Sequence, residues 1–595
     1  MSKFVRSFFY ALIVVSLVAA TVTSTAFPES AFWAPTGVWS ILPPIVAILL
    51  AFATKNVVVS LLVGVFSAAY LIAIQKFAPC AALGQAFVIS TQQAMGVVAK
   101  PGNAGILLQC GAIGGLVALL AASGGIRAIA ELFVRLAKGA ASSQIVAWLL
   151  GLFIFFDDYA NVQIRGPIVR PITDRNRVSR EKLSFILDAT AAPIAGIALI
   201  STWIGTELSY IEAGLVDAGL DSTYQAYTIF VSSIPYRFYN LLMLAFIFLS
   251  AIMLRDFGAM YKAEILARKG YLRDMNLNVV TIEEAMNGAS DGLIADVDKN
   301  AEGVETSRKS GLWDITLALV PILVLIVSAF GFFYASGRAA IFAGGDPDKI
   351  ASIETISASS IRDVLGAADA AISIFQAAVL AGIVAFVMIV VSGRASTEQA
   401  VSAWLNGVKS LTFTFVILIL AWTLSTCIGK DHLGTAKFLV GALSEGTPAF
   451  LLPTLIFVLA AIVSFSTGTS YGTMAIITPL AIPFANALAP GDYPYLIVAT
   501  SAVLTGAIFG DHSSPISDTT ILSATSARCG MLEHVGTQIE YALYVALIAI
   551  VFGFLPVGFG ATIWAVLPVS IVAVLILLLV KGKKVPDVVS DEETL

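Results

Sequence analysis

Two aspartates stand in a stretch of sequence that otherwise has the composition of a membrane span. Asp511 and Asp518 lie within residues 510–520, GDHSSPISDTT, and no Lys or Arg occurs between Lys437 and Arg528. A carboxylate buried in a bilayer without a basic partner costs about 3 kcal/mol or more on insertion scales. A bound proton or a small cation removes that cost. The segment therefore predicts a site that holds one or the other.

Hydroxyl groups close to these aspartates offer a hard cation the oxygen ligands that it prefers. Ser513, Ser514 and Ser517 are the predicted ligands, and Pro515 frees backbone carbonyls beside them. For any single hydroxyl the equal alternative is a hydrogen bond to its own helix.

The chain has three histidines, too few for a metal site built on histidine ligands. His512 stands next to Asp511, where it either positions this carboxylate, carries protons or simply packs. His534 is expected at the membrane interface.

A second pair of carboxylates, Asp157 and Asp158, is adjacent in the chain. On a helix the two side chains would point about 100° apart. We expect Asp158 to face a cavity, because Asn161 follows about one turn later on the same face. Asp157 is then expected to pair with Arg165 or Arg170.

Further polar residues occur at membrane depth in both halves of the chain. Asp188 and Glu207 are predicted to support the site, with an interfacial position as the equal alternative for Glu207. Thr202 precedes Gly205, where a helix could unwind. Thr469 and Ser470 end a Ser- and Thr-rich turn that is predicted to line the same cavity.

The composition sets the class of protein that must position these residues. The chain has 595 residues, of which 58% are hydrophobic and 12% charged, and its mean hydropathy is +0.90. Soluble proteins carry roughly 25% charged residues. A water-soluble enzyme, a nucleic-acid binder, a disordered chain and a disulfide-rich secreted module are therefore excluded. We predict an all-α polytopic membrane protein.

Two parts of the sequence resemble each other in the same order. Residues 158–171 align with 470–483, which pairs Tyr159 with Tyr471, and residues 193–202 align with 515–524 further on. Such repeats with broken helices around a midplane site are typical of secondary transporters.

The connectors of the two copies differ in charge. Residues 173–182 are rich in Lys and Arg, whereas 487–494 contain neither. Because basic loops stay in the cytoplasm, the two connectors are predicted on opposite sides of the membrane, which makes the repeat inverted. Segments 144–157 and 161–172 would span only roughly 21 Å and 18 Å as helices, so each copy is predicted to begin with a re-entrant hairpin. The predicted fold thus has inverted structural repeats with two re-entrant hairpins and two broken transmembrane helices.

Five segments are expected along the chain. They are an N-terminal transmembrane anchor and outside loop (1–38), a first transporter repeat (39–254), a polar cytoplasmic linker (255–310), a second, inverted repeat (311–580) and a cytoplasmic tail (581–595). A signal peptide is the alternative for the first apolar run, and we favour a retained span. Both termini are predicted on the cytoplasmic side of the inner (plasma) membrane.

The sequence resembles the NhaC family of sodium/proton antiporters. The resemblance lies in FFDDYAN (155–161), residues 170–195, STWIGTE (201–207), STGTSYGT (466–473) and GDHSSPISDTT (510–520). It implies transport through a site built by hairpin tips and broken helices. The site residues that it implies are Asp158, Asn161, Thr202, Ser470, Asp511, Ser513, Ser517 and Asp518.

The predicted function is exchange of Na⁺, or another monovalent cation, for H⁺ by alternating access, with Na⁺ at Asp158, Asp511, Ser517 and Asp518. The alternative is Na⁺- or H⁺-coupled transport of an amino acid or small carboxylate. An ion channel suits the repeat less well, and an intramembrane hydrolase lacks a nucleophile. We expect no enzyme activity, cofactor or nucleic acid; the expected partners are the cation, the proton, the lipid bilayer and a second copy in a homodimer.

Overall fold

The computed structural model describes residues 3–26, 34–54, 56–126, 137–275, 278–287, 312–344, 367–429, 448–515 and 517–586, with a few single positions between these ranges. The described chain is almost entirely helical. The helices up to the middle of the chain are α1 (Lys3–Ala26), α2 (Leu42–Thr54), α3 (Val57–Ala73), α4 (Pro79–Val98), α5 (Pro101–Ala122), α6 (Ala140–Phe153), α7 (Asp158–Arg175), α8 (Arg180–Ala189), α9 (Ala192–Ala195), α10 (Thr202–Ala218), α11 (Ala226–Ser233), α12 (Phe238–Met253), α13 (Gly258–Arg268) and α14 (Ile282–Asn287).

The remaining helices are α15 (Leu312–Gly344), α16 (Ala370–Val391), α17 (Thr397–Ser410), α18 (Thr412–Ile428), α19 (Leu452–Thr467), α20 (Ser470–Leu488), α21 (Tyr493–Ser513), α22 (Asp518–Ala527), α23 (Met531–Ile548), α24 (Leu555–Gly558) and α25 (Ile563–Val580). A π-helical turn, Ala549–Phe554, joins α23 to α24.

The helices have the length and apolarity that a bilayer requires. Within the described ranges, nine helical stretches are long and apolar enough to cross a membrane. A tenth span forms if Ala226–Tyr236 and Phe238–Met253, which meet at a bend of 43°, are taken together. The prediction of an all-α polytopic membrane protein is confirmed. α1 packs on the body of the molecule, since Thr21 Oγ1 lies 3.0 Å from the Tyr70 hydroxyl.

The elements that carry the predicted site follow the same order twice. In the first half, α6, a tip at residues 154–157 and α7 precede a helix that is interrupted between α8 and α10. In the second half, α19, a tip at Gly468 and α20 precede a helix interrupted between α21 and α22. Gly468 ends α19 with φ at 67°, a conformation that glycine adopts without strain. Each interruption leaves two half-helices with free ends.

The two halves interlock through these half-helices. α7 of the first half packs against α22 of the second, and α20 of the second half packs against α10 of the first. In each copy, the helix that follows the tip thus contacts the second half of the other copy's broken helix. A two-fold relation between the copies would require this. The inversion of the copies and the re-entrant course of the hairpins stay predictions.

Much of the stretch predicted as a solvated linker is folded. Strand β1 (Arg255–Asp256) pairs with strand β4 (Lys583–Lys584), and β2 (Tyr271–Arg273) pairs with β3 (Val279–Thr281) around α13. Asp256 is buried and accepts a 2.6 Å hydrogen bond from the Lys182 ammonium group.

Glu264 of α13 is also buried, and its Oε1 accepts from the backbone N–H of Ser179, 2.8 Å away. Residues 255–275 are thus folded against the segment 173–182, whereas several residues of 278–287, such as Glu283 and Glu284, are exposed. Residues 288–310 of the predicted linker lie outside the described part of the chain.

Cysteine labelling tests the predicted inversion. Arg175 and Pro490 are exposed on the two connectors, so Arg175→Cys should react from the cytoplasmic side and Pro490→Cys from the outside, using a membrane-impermeant maleimide. The background should carry Cys80→Ser, because Cys80 is exposed whereas Cys110, Cys427 and Cys529 are buried. Labelling of both new cysteines from one face would contradict the inverted repeat.

Candidate functional site

Asp511 lies where the second hairpin tip meets the second helix break. It occupies the last turn of α21, and its side chain is buried. Oδ2 accepts from the Ser470 hydroxyl at 2.7 Å and from the Ser470 backbone N–H at 3.2 Å. Oδ1 accepts from the Ser517 hydroxyl at 2.6 Å. Three backbone segments therefore converge on one carboxylate.

Asp518 begins α22 and reaches accessible surface, unlike Asp511. Its Oδ1 accepts from the backbone N–H of Thr519 at 2.8 Å, and its Oδ2 accepts from the Tyr159 hydroxyl. The Thr519 hydroxyl also lies 3.0 Å from that of Ser517. Tyr159 belongs to α7, so this contact joins the first hairpin to the second broken helix.

The first hairpin tip carries the other two carboxylates. Asp157 Oδ2 accepts from the Thr202 hydroxyl at 3.1 Å, and the Thr202 backbone N–H donates to Phe156 O at 2.9 Å. Asp158 is only 2% exposed, and its Oδ1 has no hydrogen-bond partner among the described residues. Its charge is close enough to act on those of Asp157 and Asp518.

Asn161 and Arg165 hold the first hairpin together. The Asn161 amide donates to the carbonyls of Gly151 and Ile154, at 2.9 Å and 2.8 Å. The Arg165 guanidinium donates to Ala147 O at 2.8 Å and to two oxygens of the first helix break. Arg165 therefore braces the hairpin. The reason is that a tip and a break leave carbonyls without helical partners, which need donors. The pairing of Asp157 with Arg165 or Arg170 stays a prediction.

Four helix N-termini meet around these carboxylates, namely those of α7, α10, α20 and α22. Thr202 joins α10 to the α7 tip and Tyr159 joins α7 to α22, as described above. Trp203 of α10 packs against Tyr471 of α20, with ring centroids 4.8 Å apart. Tyr159 and Tyr471 are the aligned tyrosines of the two sequence copies. The N-terminal ends of the helix dipoles favour negative charge at this point.

Several predicted ligands have other partners. The Ser513 hydroxyl donates to Phe509 O of its own helix, and the Ser514 hydroxyl donates to Phe465 O at 2.7 Å. Thr469 caps α20, with its hydroxyl 3.5 Å from the Gly472 N–H. Within the described part of the chain, no three His, Cys, Asp or Glu side chains cluster as metal ligands do. A Na⁺ ion would therefore draw on hydroxyl and carbonyl oxygens beside a carboxylate.

Two supporting groups lie in buried networks that sequence reasoning missed. Glu207 forms a fully buried ion pair with Arg237 at 2.8 Å, and Arg237 also donates to Gly196 O in the first break, at 3.1 Å. Glu207 is therefore a buried group that supports the first break through Arg237. The one sequence signal for such a partner is that Glu207 is an acidic residue within an apolar helix. It does not identify Arg237, which lies 30 residues further along the chain.

His534 is fully buried within the protein, and its predicted position at the membrane interface stays a prediction. Its Nε2 lies 3.1 Å from Asp188 Oδ2, and Gln538 donates to the same oxygen at 3.0 Å. His512 Nδ1 lies 3.5 Å from that oxygen as well. Asp188, His512 and His534 are thus brought together.

Comparisons with known proteins identify the class. The chain matches the Na⁺/H⁺ antiporter family over residues 194–559. It is 32% identical over 545 residues to an uncharacterized protein of Haemophilus influenzae, covering 90% of this chain and 95% of that one. The protein is a multi-pass membrane transporter. It belongs to the Na⁺/H⁺ antiporter family, which confirms the resemblance in the sequence motifs.

Two further proteins are similar over different lengths. The malate-2H⁺/Na⁺-lactate antiporter of Bacillus subtilis is 33% identical over 162 residues, which are 24% of this chain and 33% of that protein. The solved structure of the YdaH transporter of Alcanivorax borkumensis aligns with a TM-score of 0.50 and 15% identity, over 81% of this chain and 90% of that one. At this identity the second match supports the fold alone.

The brace at the first tip gives a testable prediction. Asn161→Ala removes the donor from two carbonyls at once, so it should destabilise the protein by roughly 2 kcal/mol, since each buried orphan costs about 1–3 kcal/mol. Thermal unfolding of the purified protein in detergent measures this loss. Asn103→Ala is the matched control, because Asn103 donates to Val97 O in a half-buried turn away from the site. An Asn161→Ala protein as stable as the control variant would contradict the bracing role.

Proposed function

We propose that the protein exchanges Na⁺, or another monovalent cation, for H⁺ by alternating access at the centre formed by the four helix N-termini. One observation carries the proposal. Among the described residues, Asp158, Asp511 and Asp518 have no Lys or Arg within ion-pair distance. Asp158 and Asp511 are buried, whereas Asp518 is exposed. A buried carboxylate without a basic partner needs a proton or a cation, and these are the two ions that the family name pairs.

Competition for the same oxygens makes the exchange obligatory. Ser470 and Ser517 now donate to the two oxygens of Asp511. When Na⁺ is bound, the same hydroxyl oxygens can turn a lone pair to the cation, whereas a proton on Asp511 removes the negative charge that holds it. A centre occupied by one ion at a time, and open to one side at a time, exchanges the two.

The position of the centre fits alternating access. It lies between half-helices from both copies, so a movement of one copy against the other would change the side to which Asp518 is exposed. In the proposed orientation the connector 173–182 and both termini are cytoplasmic, in the inner membrane of the cell.

A second candidate is exchange of a small carboxylate together with H⁺ or Na⁺. It is favoured by the name of the Bacillus subtilis relative and by the four helix N-termini, whose dipoles would attract an anionic group if the aspartates were protonated. The two candidates differ in whether proton movement requires an organic solute.

Purified protein in liposomes loaded with a pH-sensitive dye tests the proposal. A Na⁺ gradient alone should drive protons in the opposite direction. Asp158→Asn, Asp511→Asn and Asp518→Asn should each abolish this movement, because the amide cannot exchange a proton for Na⁺. Ser517→Ala should keep the exchange at a weaker apparent Na⁺ affinity, since one oxygen ligand is lost and the carboxylate remains.

Asp221→Asn is the matched control, because Asp221 is an exposed carboxylate between α10 and α11. It should transport like the unaltered protein. Proton movement that appears only when lactate or malate is added would support the second candidate instead. Full exchange in Asp511→Asn and Asp518→Asn would contradict the site.

A further inference from the structure

A buried cluster of titratable groups adjoins the second helix break, where His512 follows Asp511. Asp188 Oδ2 lies between the imidazoles of His534, at 3.1 Å, and His512, at 3.5 Å. Gln538 donates to the same oxygen at 3.0 Å and also to His512 O at 2.6 Å. Asp188 is 1% exposed, and the other three side chains are completely buried.

His534 and Asp188 lie between the first helix break and the neighbouring residues Arg180 and Arg528, which are here called the basic end of the molecule. His534 lies in the first turn of α23, after Arg528 and beside the half-exposed Glu533. Asp188 lies in the last turn of α8, which begins at Arg180. At 1.5 Å per residue, Asp188 is about 12 Å from Arg180 along the helix axis. Asp188 is close enough for its charge to act on Asp518. The pair thus lies between the surface and the proposed exchange centre.

The cluster has free positions for a proton. Among the described residues, Asp188 Oδ1, His534 Nδ1 and both ring nitrogens of His512 have no hydrogen-bond partner. A buried network that only stabilised the fold would be expected to satisfy most of its polar atoms. Asp188 also stands at the C-terminal end of α8, where the helix dipole disfavours its negative charge and favours a positive or proton-donating neighbour.

The neighbouring elements limit which groups act on His534. α8 packs on α23 and carries Asp188, Arg180, Glu181 and Lys182, of which Lys182 pairs with Asp256. The other titratable groups near this region are Tyr239, His512 and Asp518, with Glu533 on α23 itself. Lys581 pairs with Glu540, further along α23. Among the described residues, Asp188 alone lies within hydrogen-bond distance of the His534 ring.

We propose that His534 and Asp188 form a second proton-binding site, through which the exchanged proton passes between the basic end of the molecule and the exchange centre. The proposal rests on the proposed function. A proton binds His534 Nδ1, and the proton on Nε2 moves to Asp188 Oδ2, which leaves a neutral imidazole and a neutral carboxyl group. Loss of that proton towards the centre restores the carboxylate, and the imidazole returns to its first tautomer. One proton enters and one leaves, and no electrons move.

Comparison of two transport modes separates this role from a structural one. Exchange of ²²Na⁺ for Na⁺ moves no net protons, whereas Na⁺/H⁺ exchange requires them. His534→Gln retains an amide donor to Asp188 but cannot carry a proton. It should slow Na⁺/H⁺ exchange by roughly tenfold or more and leave Na⁺/Na⁺ exchange and its apparent Na⁺ affinity unchanged. In His534→Ala, added imidazole should restore Na⁺/H⁺ exchange in part.

His432→Gln is the matched control, because the His432 ring is half-buried and lies beside Gln93, at 3.1 Å. It should not alter either mode. Equal slowing of both modes in His534→Gln, or no slowing of Na⁺/H⁺ exchange, would overturn the proposed proton site and leave the proposed function standing. Unaltered protein that shows Na⁺/Na⁺ exchange but moves no protons would overturn both.

Should His534→Gln not fold, His534→Asn carries the same comparison of the two transport modes, because its amide also cannot carry a proton. Equal slowing of both modes in that variant, or no slowing of Na⁺/H⁺ exchange, would overturn the proposed proton site.

Discussion

Negative charge in the interior of a membrane protein must be neutralised, and most of this structure follows from that constraint. Asp511 and Asp158 are buried, and no basic side chain among the described residues pairs with them. Their charge is instead met by helix N-termini and by hydroxyl donors such as Ser470 and Ser517. Helix N-termini can meet inside a membrane only where helices are interrupted, so the two tips and two breaks are needed to build the centre.

Each interruption leaves backbone carbonyls without helical partners, and long polar side chains donate hydrogen bonds to them. Asn161 and Arg165 donate to the first hairpin, Arg237 donates to Gly196 O in the first break, and Gln538 donates to His512 O beside the second break. Arg237 lies between α11 and α12, which follow the first broken helix, and Gln538 lies on α23, which follows the second. A movement that changes access must preserve or exchange these bonds, because an unsatisfied buried carbonyl is costly.

Sequence reasoning reached the class of protein and the family because apolar length and short motifs are local properties. It also selected Asp511, Ser470 and Ser517, and the structure brings both serines within hydrogen-bond distance of Asp511. It did not find that Ser513 bonds its own helix, because the sequence offers a hydroxyl either choice.

Longer-range partners were beyond the reach of sequence patterns. His534 meets Asp188 from the other end of the chain, and the pairing of Arg237 with Glu207 depends on how two helices cross. The burial of Asp256 in the linker could not be predicted for the same reason, since Asp256 is polar in sequence but buried against Lys182. The spacing of residues in the sequence predicts which side chains share one face of a helix. Which residues pack against that face depends on the arrangement of the other helices.

The central claim is that Na⁺ and H⁺ compete for one set of carboxylates. Calorimetric titration of Na⁺ into the purified protein, in two buffers of different ionisation enthalpy, measures the protons released on binding. The account predicts proton release, and an apparent Na⁺ affinity that falls by up to about tenfold per pH unit on acidification while one proton competes. Binding without proton release, or tighter Na⁺ binding at acid pH, would contradict it.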